Sequence, residues 1–255
     1  MTFALLGHGR FGQALAEMLV QAGHTVRIHD PGGNVPEAFA AASPAQAVEG
    51  AQWVVLAMPV PAMRAALLEV RPHLDSRHTV IDVGSVKMHP CTLMEDVLAA
   101  EIPHAGTHPL FGPLSLARGE RPLRTVVCAS VLHPQAAQRA RALFSSLGCE
   151  VIDQDPIAHD RAMAGTHALA FFIAKGLVDM GVGEDLTLAP PSFQGLKNML
   201  AAVRGDAGHL FAAIQQENPY ACEARARLIE ALGTIHRKLL TEADDEGSLS
   251  ISGLP

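Results

Sequence analysis

An apolar run, Phe3-Ala4-Leu5-Leu6, ends in Gly7-His8-Gly9-Arg10-Phe11-Gly12, and residues 11–22 beyond it are apolar at helical period. A strand, three glycines at this spacing and a helix leave few folds open. The first glycine permits the tight turn, the second lets a pyrophosphate approach the backbone, and the third lets strand and helix pack closely. The helix start then offers unpaired N–H groups and partial positive charge to the phosphates. Gly7, His8, Gly9, Arg10, Phe11 and Gly12 are therefore expected to hold a dinucleotide; the plainer alternative is a glycine-rich turn with no ligand.

The unit repeats. Short β-rich runs at 2–6, 25–29, 53–57, 79–83, 103–106, 125–128 and 150–152 alternate with helical stretches at 11–22, 44–49, 61–71, 89–99 and 134–147, the last stopped by Gly148. This predicts an α/β fold, a Rossmann-type doubly wound sheet over residues 1–153. Asp30, at the end of the second strand, lies about 20 residues past the glycines, where a carboxylate can accept hydrogen bonds from a ribose hydroxyl. It favours NAD by repelling a 2′-phosphate, while Arg27 and His29 beside it leave NADP open; as a turn residue before Pro31-Gly32-Gly33 it would do neither. Met58 and Pro59 follow the third strand and would lie along the cofactor, or else cap a helix start.

After Asp153-Gln154-Asp155-Pro156 the pattern turns helical, over 156–181, 192–203, 205–216 and 219–242. A second, all-helical domain is expected at 154–243, followed by a flexible tail at 244–255. Helices such as Ala168–Ala174 are apolar nearly all round and need more cover than one small bundle supplies, which implies a homodimer built through this domain. The net charge of −7, with no basic stripe, argues against nucleic acid as a partner and leaves a small molecule. No stretch approaches the roughly 20 apolar residues of a membrane span. The start lacks a signal-peptide h-region, and Cys91, Cys128, Cys149 and Cys222 show no disulfide or zinc spacing, so a cytoplasmic protein is expected.

In an open α/β sheet the ligand crevice lies outside the carboxyl ends of the strands. Two motifs are expected there: Asp82-Val83-Gly84-Ser85-Val86-Lys87 after the fourth strand, and Gly106-Thr107-His108-Pro109-Leu110-Phe111-Gly112-Pro113 after the fifth. Ser85 and His108 are the candidate catalytic pair. His104 and His108 are four apart, as for a metal on a helix, but Gly106 and Pro109 argue against a helix, and no metal is expected.

These two motifs, the glycine fingerprint and His159-Asp160-Arg161 at the head of the helical part resemble, in order and over nearly the whole chain, the prephenate/arogenate dehydrogenases of tyrosine biosynthesis. The resemblance implies an NAD(P)-dependent oxidative decarboxylation. His108 would take the hydroxyl proton as base, and Ser85 would hydrogen-bond His108 or the substrate hydroxyl beside the cofactor. Thr107 would lie against the substrate, and Lys87 would assist a carboxylate by charge or cap the structure locally. Thr166-His167 falls one residue nearer His159-Asp160 than in many members, and one residue turns a helical side chain by roughly 100°. Where many prephenate-using members carry a carboxylate-gripping arginine this chain has Ala201, so the cation passes to Arg204, one turn on, or Lys197, one turn before. The stretch 193–211 resembles the plant-type arogenate enzymes and tilts the expectation toward arogenate. No regulatory domain is expected beyond the helical one. An imine reductase, a β-hydroxyacid dehydrogenase, or a non-catalytic NAD-binding sensor would share the fingerprint and the helical domain.

Overall fold

The computed structural model describes residues 1–182, 185, 187–205 and 208–244. Seven strands form one sheet: β1 (Thr2–Leu6), β2 (Thr25–His29), β3 (Trp53–Leu56), β4 (Thr79–Asp82), β5 (His104–Pro109), β6 (Leu123–Ala129) and β7 (Cys149–Asp153). Their order is β2-β1-β3-β4-β5-β6-β7. The chain reverses direction across the sheet between β1 and β3, which opens the ligand crevice outside their carboxyl ends.

Alternation along each strand builds two cores. Phe3, Leu5, Trp53, Val55 and Ile81 face one side and pack with Leu15 and Leu19 of helix α1 (Arg10–Gln21). Ala4, Leu6, Val54, Leu56 and Val80 face the other. There they meet α2 (Pro44–Val48), α3 (Val60–Val70) and α4 (Met88–Leu98). Beyond β5 come α5 (Pro113–Ala117) and α6 (Pro134–Ser146), the latter covering the first face through Ala140 and Phe144.

The sheet is mostly parallel: β6 runs antiparallel to β5, and β7 parallel to β6. β5 continues through Pro109, three residues past the expected end at Gly106. β4 pairs with β5 only at Val80↔His104 and Ile81↔Ala105, whereas β6 accompanies β5 from Ala105 to Pro109. His108 therefore stands within a strand, supported from one side. Gly106 is needed at this place: a Cβ there would lie 2.5 Å from Cys91 Sγ and 3.3 Å from Lys87 Cδ.

After β7 the described chain is helical: α7 (Pro156–Met163), a π-helical turn (Ala164–Ala168), α8 (Leu169–Asp179), α9 (Gln194–Arg204), α10 (His209–Ala212), a second π-helical turn (Ala213–Glu217) and α11 (Ala221–Asp244). The expected continuous helices at 156–181 and 205–216 are each interrupted by a π turn. The turns face each other: the Gln215 amide donates to the Ala168 carbonyl at 2.7 Å, satisfying a backbone acceptor at the wider turn. Of the expected tail, residues 245–255 lie outside the described residues.

Gly106→Ala should lower stability by about 1–3 kcal/mol, the usual cost of overpacking. In chemical denaturation, adding Cys91→Ala should recover part of that loss. Fully additive losses would show that Cys91 is not the obstructing residue.

Candidate active site

The fingerprint turn is held by Gly7 N–H donating to His29 O at 2.9 Å, with Gly7 at φ +109°. A side chain at Gly7 would strike the Ala57 carbonyl at 2.5 Å. At Gly12 it would strike Gly7 O at 2.6 Å, whereas at Gly9 a Cβ meets nothing within 4 Å. Gly9 is also the N-cap of α1, and no described side chain caps that helix. An open, uncapped start of a 12-residue helix fits a pyrophosphate.

Asp30 closes its own turn and also binds the fingerprint turn. Oδ1 accepts Gly32 N–H at 2.9 Å, closing the local turn, and Oδ2 accepts His8 N–H at 2.6 Å, tying that turn to the fingerprint. The His8 ring is buried with Nδ1 unpaired. Arg10 reaches away from the fingerprint and donates to the Gly205 carbonyl at the end of α9. Phe11 turns into the core, its ring 6.0 Å from that of Phe111. Met58 is half-buried against the second core, and Pro59 caps α3.

Asp82 organises the second motif. It is fully buried; Oδ2 accepts Lys87 Nζ and Gly84 N–H (2.9 Å), and Oδ1 accepts Thr107 N–H at 3.2 Å. Because β4 ends at Asp82, that Thr107 amide has no strand partner, and the side chain supplies the acceptor. The Thr107 hydroxyl donates to the Asp82 carbonyl and the residue is fully buried, so Thr107 supports β5 from behind instead of presenting its hydroxyl to a ligand. Lys87 is likewise consumed: the carboxylate it serves is Asp82's. Ser85, half-buried in the loop so fixed, makes no hydrogen bond to His108.

The partner of His108 is another histidine. His108 Nδ1 lies 2.8 Å from His159 Nε2, and His159 Nδ1 lies 2.7 Å from Asp160 Oδ1. Asp160 also accepts Lys87 N–H at 2.7 Å and Met88 N–H at 2.9 Å, so the first residue pair of the helical part caps α4. Asn218 donates to the Asp160 carbonyl at 2.8 Å from the far side. His159-Asp160 appeared in the sequence as a family motif only; the capping contact has no sequence signal, because it spans 73 residues.

His167 does reach this group. Eight residues from His159, at roughly 100° each, would leave an α-helical side chain well off alignment. The π turn at Ala164–Ala168 rotates each residue less, and the His167 ring stacks on that of His108 at 6.2 Å and 17°. Phe171 backs it edge-on at 4.8 Å. Arg204, by contrast, donates to the Val182 carbonyl at 3.0 Å. His104 and His108 sit four residues apart on an extended strand, roughly 13 Å, too far to share an ion; among the described residues no three His, Cys, Asp or Glu side chains form a metal-binding group.

Burial, then the neighbouring His159, Lys87 and His167, push the His108 pKa well below the usual imidazole value. Burial followed by His159 takes His167 down to about 4. His108 and His167 are thus held neutral near pH 7, and a neutral imidazole can accept a proton.

The model for the prephenate dehydrogenase nucleotide-binding domain matches residues 34–139, which contain both central motifs. A probable arogenate/prephenate dehydrogenase of Methanocaldococcus jannaschii is 25% identical over 81% of this chain, which spans 47% of that relative's length. Arogenate dehydrogenase 2 of Arabidopsis thaliana is 26% identical over 94% of this chain and 70% of its own. By these matches the chain is similar to the prephenate/arogenate dehydrogenases. In fold, the chain is similar to the prephenate dehydrogenase of A. aeolicus solved with hydroxyphenyl propionate and NAD+ (TM-score 0.74, 20% identity, 96% and 93% of the two chains). The motifs that carry the resemblance to prephenate/arogenate dehydrogenases meet here in one place, Ser85 excepted as a partner of His108.

Neutral burial carries a pH signature. Unfolded, these imidazoles titrate near 6.5; folded, His108 and His167 resist protonation, so below about pH 6.5 the unfolded chain binds more protons and stability falls as pH falls. Calorimetry at about pH 7.5, 6 and 5 should show Tm dropping steadily across this window. His167→Gln should flatten the slope; an unchanged slope would mean that His167 is not held neutral.

Proposed function

We propose that the chain oxidises and decarboxylates arogenate or prephenate, using a nicotinamide dinucleotide. The observation that carries this is the neutral His108, seated on His159-Asp160 and stacked by His167 near the strand ends that follow the fingerprint. When bound, the nicotinamide supplies the hydride acceptor. His108 takes the proton of the ring hydroxyl as the hydride leaves the carbon that bears it. The electrons of the ring–carboxylate bond move into the ring, carbon dioxide departs, the ring becomes aromatic, and the proton held by His108 returns to the phenolate oxygen, giving tyrosine from arogenate or 4-hydroxyphenylpyruvate from prephenate.

Ser85, free of His108 here, is available to the substrate hydroxyl or the nicotinamide. Arg204 or Lys197 would meet the substrate's side-chain carboxylate from α9, in place of an arginine at Ala201. Arogenate is the favoured substrate: the α9 region lacks that arginine, and the Arabidopsis arogenate relative aligns over 94% of this chain. NAD is favoured by Asp30, whose two oxygens keep lone pairs beyond those given to His8 and Gly32. A cytoplasmic setting accords with four free cysteines among the described residues.

A homodimer is supported by α11. Ile229, Leu232, Ile235, Leu239 and Leu240 are each about half exposed or more and recur at helical spacing, while the helical part's own cores are small. Leu232→Glu with Ile235→Glu should halve the mass seen by light scattering, and a monomeric parent protein would remove the dimer.

Initial rates of NADH and NADPH formation, with arogenate and prephenate each paired with NAD and NADP, test the reaction. A rate with arogenate and NAD is expected. His108→Asn should abolish it, by roughly 10²–10⁴-fold for a lost base, with NAD binding unchanged. No rate in any pairing, with NAD still bound, would overturn the proposal.

A further inference from the structure

The contacts between the two parts of the chain determine more than a docking pose. Asp160 accepts three N–H groups: those of Lys87 and Met88 at the start of the 11-residue helix α4, and that of the His159 ring. A carboxylate so placed at a helix N-terminus is favoured as the anion, which accepts hydrogen bonds and donates none. His159 Nδ1 must then carry its proton. In a neutral His159 this leaves Nε2 with a lone pair, and the atom facing it at 2.8 Å is His108 Nδ1. Two lone pairs cannot face each other at that distance, so His108 Nδ1 is the donor and its Nε2 is bare.

We propose that Asp160 is a positioning residue that fixes the tautomer of His108, through His159, so that Nε2 is the proton-accepting atom. It does so only when the helical part is seated on α4, because the amides that orient the carboxylate belong to Lys87 and Met88 while Asp160 belongs to α7. The base is therefore assembled by the seam between the two parts of the chain. With the helical part displaced, nothing biases His108 toward the reactive tautomer. His167, stacked face to face on His108, restrains the ring without a hydrogen bond and leaves the choice of nitrogen to His159. This inference rests on His108 as the base, and deepens that reading by naming the atom and what sets it.

The test has a spectroscopic arm and a kinetic arm. In protein carrying 15N-labelled histidine, His108 should show a protonated Nδ1 and an unprotonated Nε2 at about pH 7.5, above the ordinary imidazole range. Asp160→Asn presents an NH2 group to His159 Nδ1, reverses both rings, and should move the proton of His108 to Nε2. The kcat/KM should fall on the order of 10³–10⁴-fold, as expected for a base held in the wrong tautomer, with KM for NAD essentially unchanged. The introduced carboxamide would also face one of the α4 amides and could unfold the seam, so His159→Phe provides a second route. It leaves Asp160 with its two α4 amides, removes the acceptor facing His108 together with the Nδ1 donor to Asp160, and should raise the Nε2-protonated form of His108 while the chain stays folded. A wild-type His108 protonated at Nε2, or a tautomer indifferent to both variants, overturns the inference. Loss of turnover with arogenate and prephenate in the wild type would remove the reaction but leave the 15N result to decide the tautomer.

Discussion

The fully buried Asp82–Lys87 ion pair is the constraint on which the rest of the site depends. Two charges withdrawn from water cost several kcal/mol each unless every lone pair and proton finds a partner. Here the carboxylate also takes the Gly84 and Thr107 amides, and the Thr107 hydroxyl takes the Asp82 carbonyl. The charges are thus tolerable only with β4, the Gly84–Ser85 loop and β5 in one arrangement. A pair of this kind adds little net stability. What it enforces is geometry, since breaking any contact leaves a charge stranded. Ser85 and His108 inherit their positions from it.

The same economy extends across the chain. Lys87 gives its ammonium to Asp82 and its backbone N–H to Asp160, so one residue joins the strand end to the helical part. Asp160 passes the restraint to His159 and His108, and its carbonyl is held by Asn218, whose own Oδ1 accepts Tyr220 N–H at 2.9 Å just before α11. A displacement at α11 would thus reach His108 through Asn218, Asp160 and His159. The face of α11 left exposed and His108 are separated by few intermediaries.

Much of this was legible because it is periodic or local. The seven strands, the fingerprint with its open Gly9 and the change to helices after Asp153 all follow from spacing of about two or 3.6 residues and from glycine chemistry. The length of β5 was not, because antiparallel pairing with β6 rewards residues 107–109 in a way no local signal records. The π turns escaped for a similar reason: their looser winding is repaid by Gln215 on Ala168, a contact 47 residues distant. Phe11, Thr107 and Lys87 lie in or beside motif positions but spend their side chains on packing or on Asp82. A motif marks where the backbone must go, and only the fold reveals which of its side chains remain for a ligand.

The neutrality of His108 and His167 follows from the same burial that makes the site precise. The His108 ring lies 5.0 Å from that of His159 and 6.2 Å from that of His167, with one fixed ammonium nearby and one carboxylate at the far end of the line. Protonating His108 would place a cation in a site whose neighbouring anions are already engaged, Asp82 by Lys87 and Asp160 by its amides and His159. The ring is thus kept neutral at the pH where a free histidine would begin to protonate. In the proposed reaction it would hold a proton only while a substrate hydroxyl, losing one, supplies the compensating negative charge.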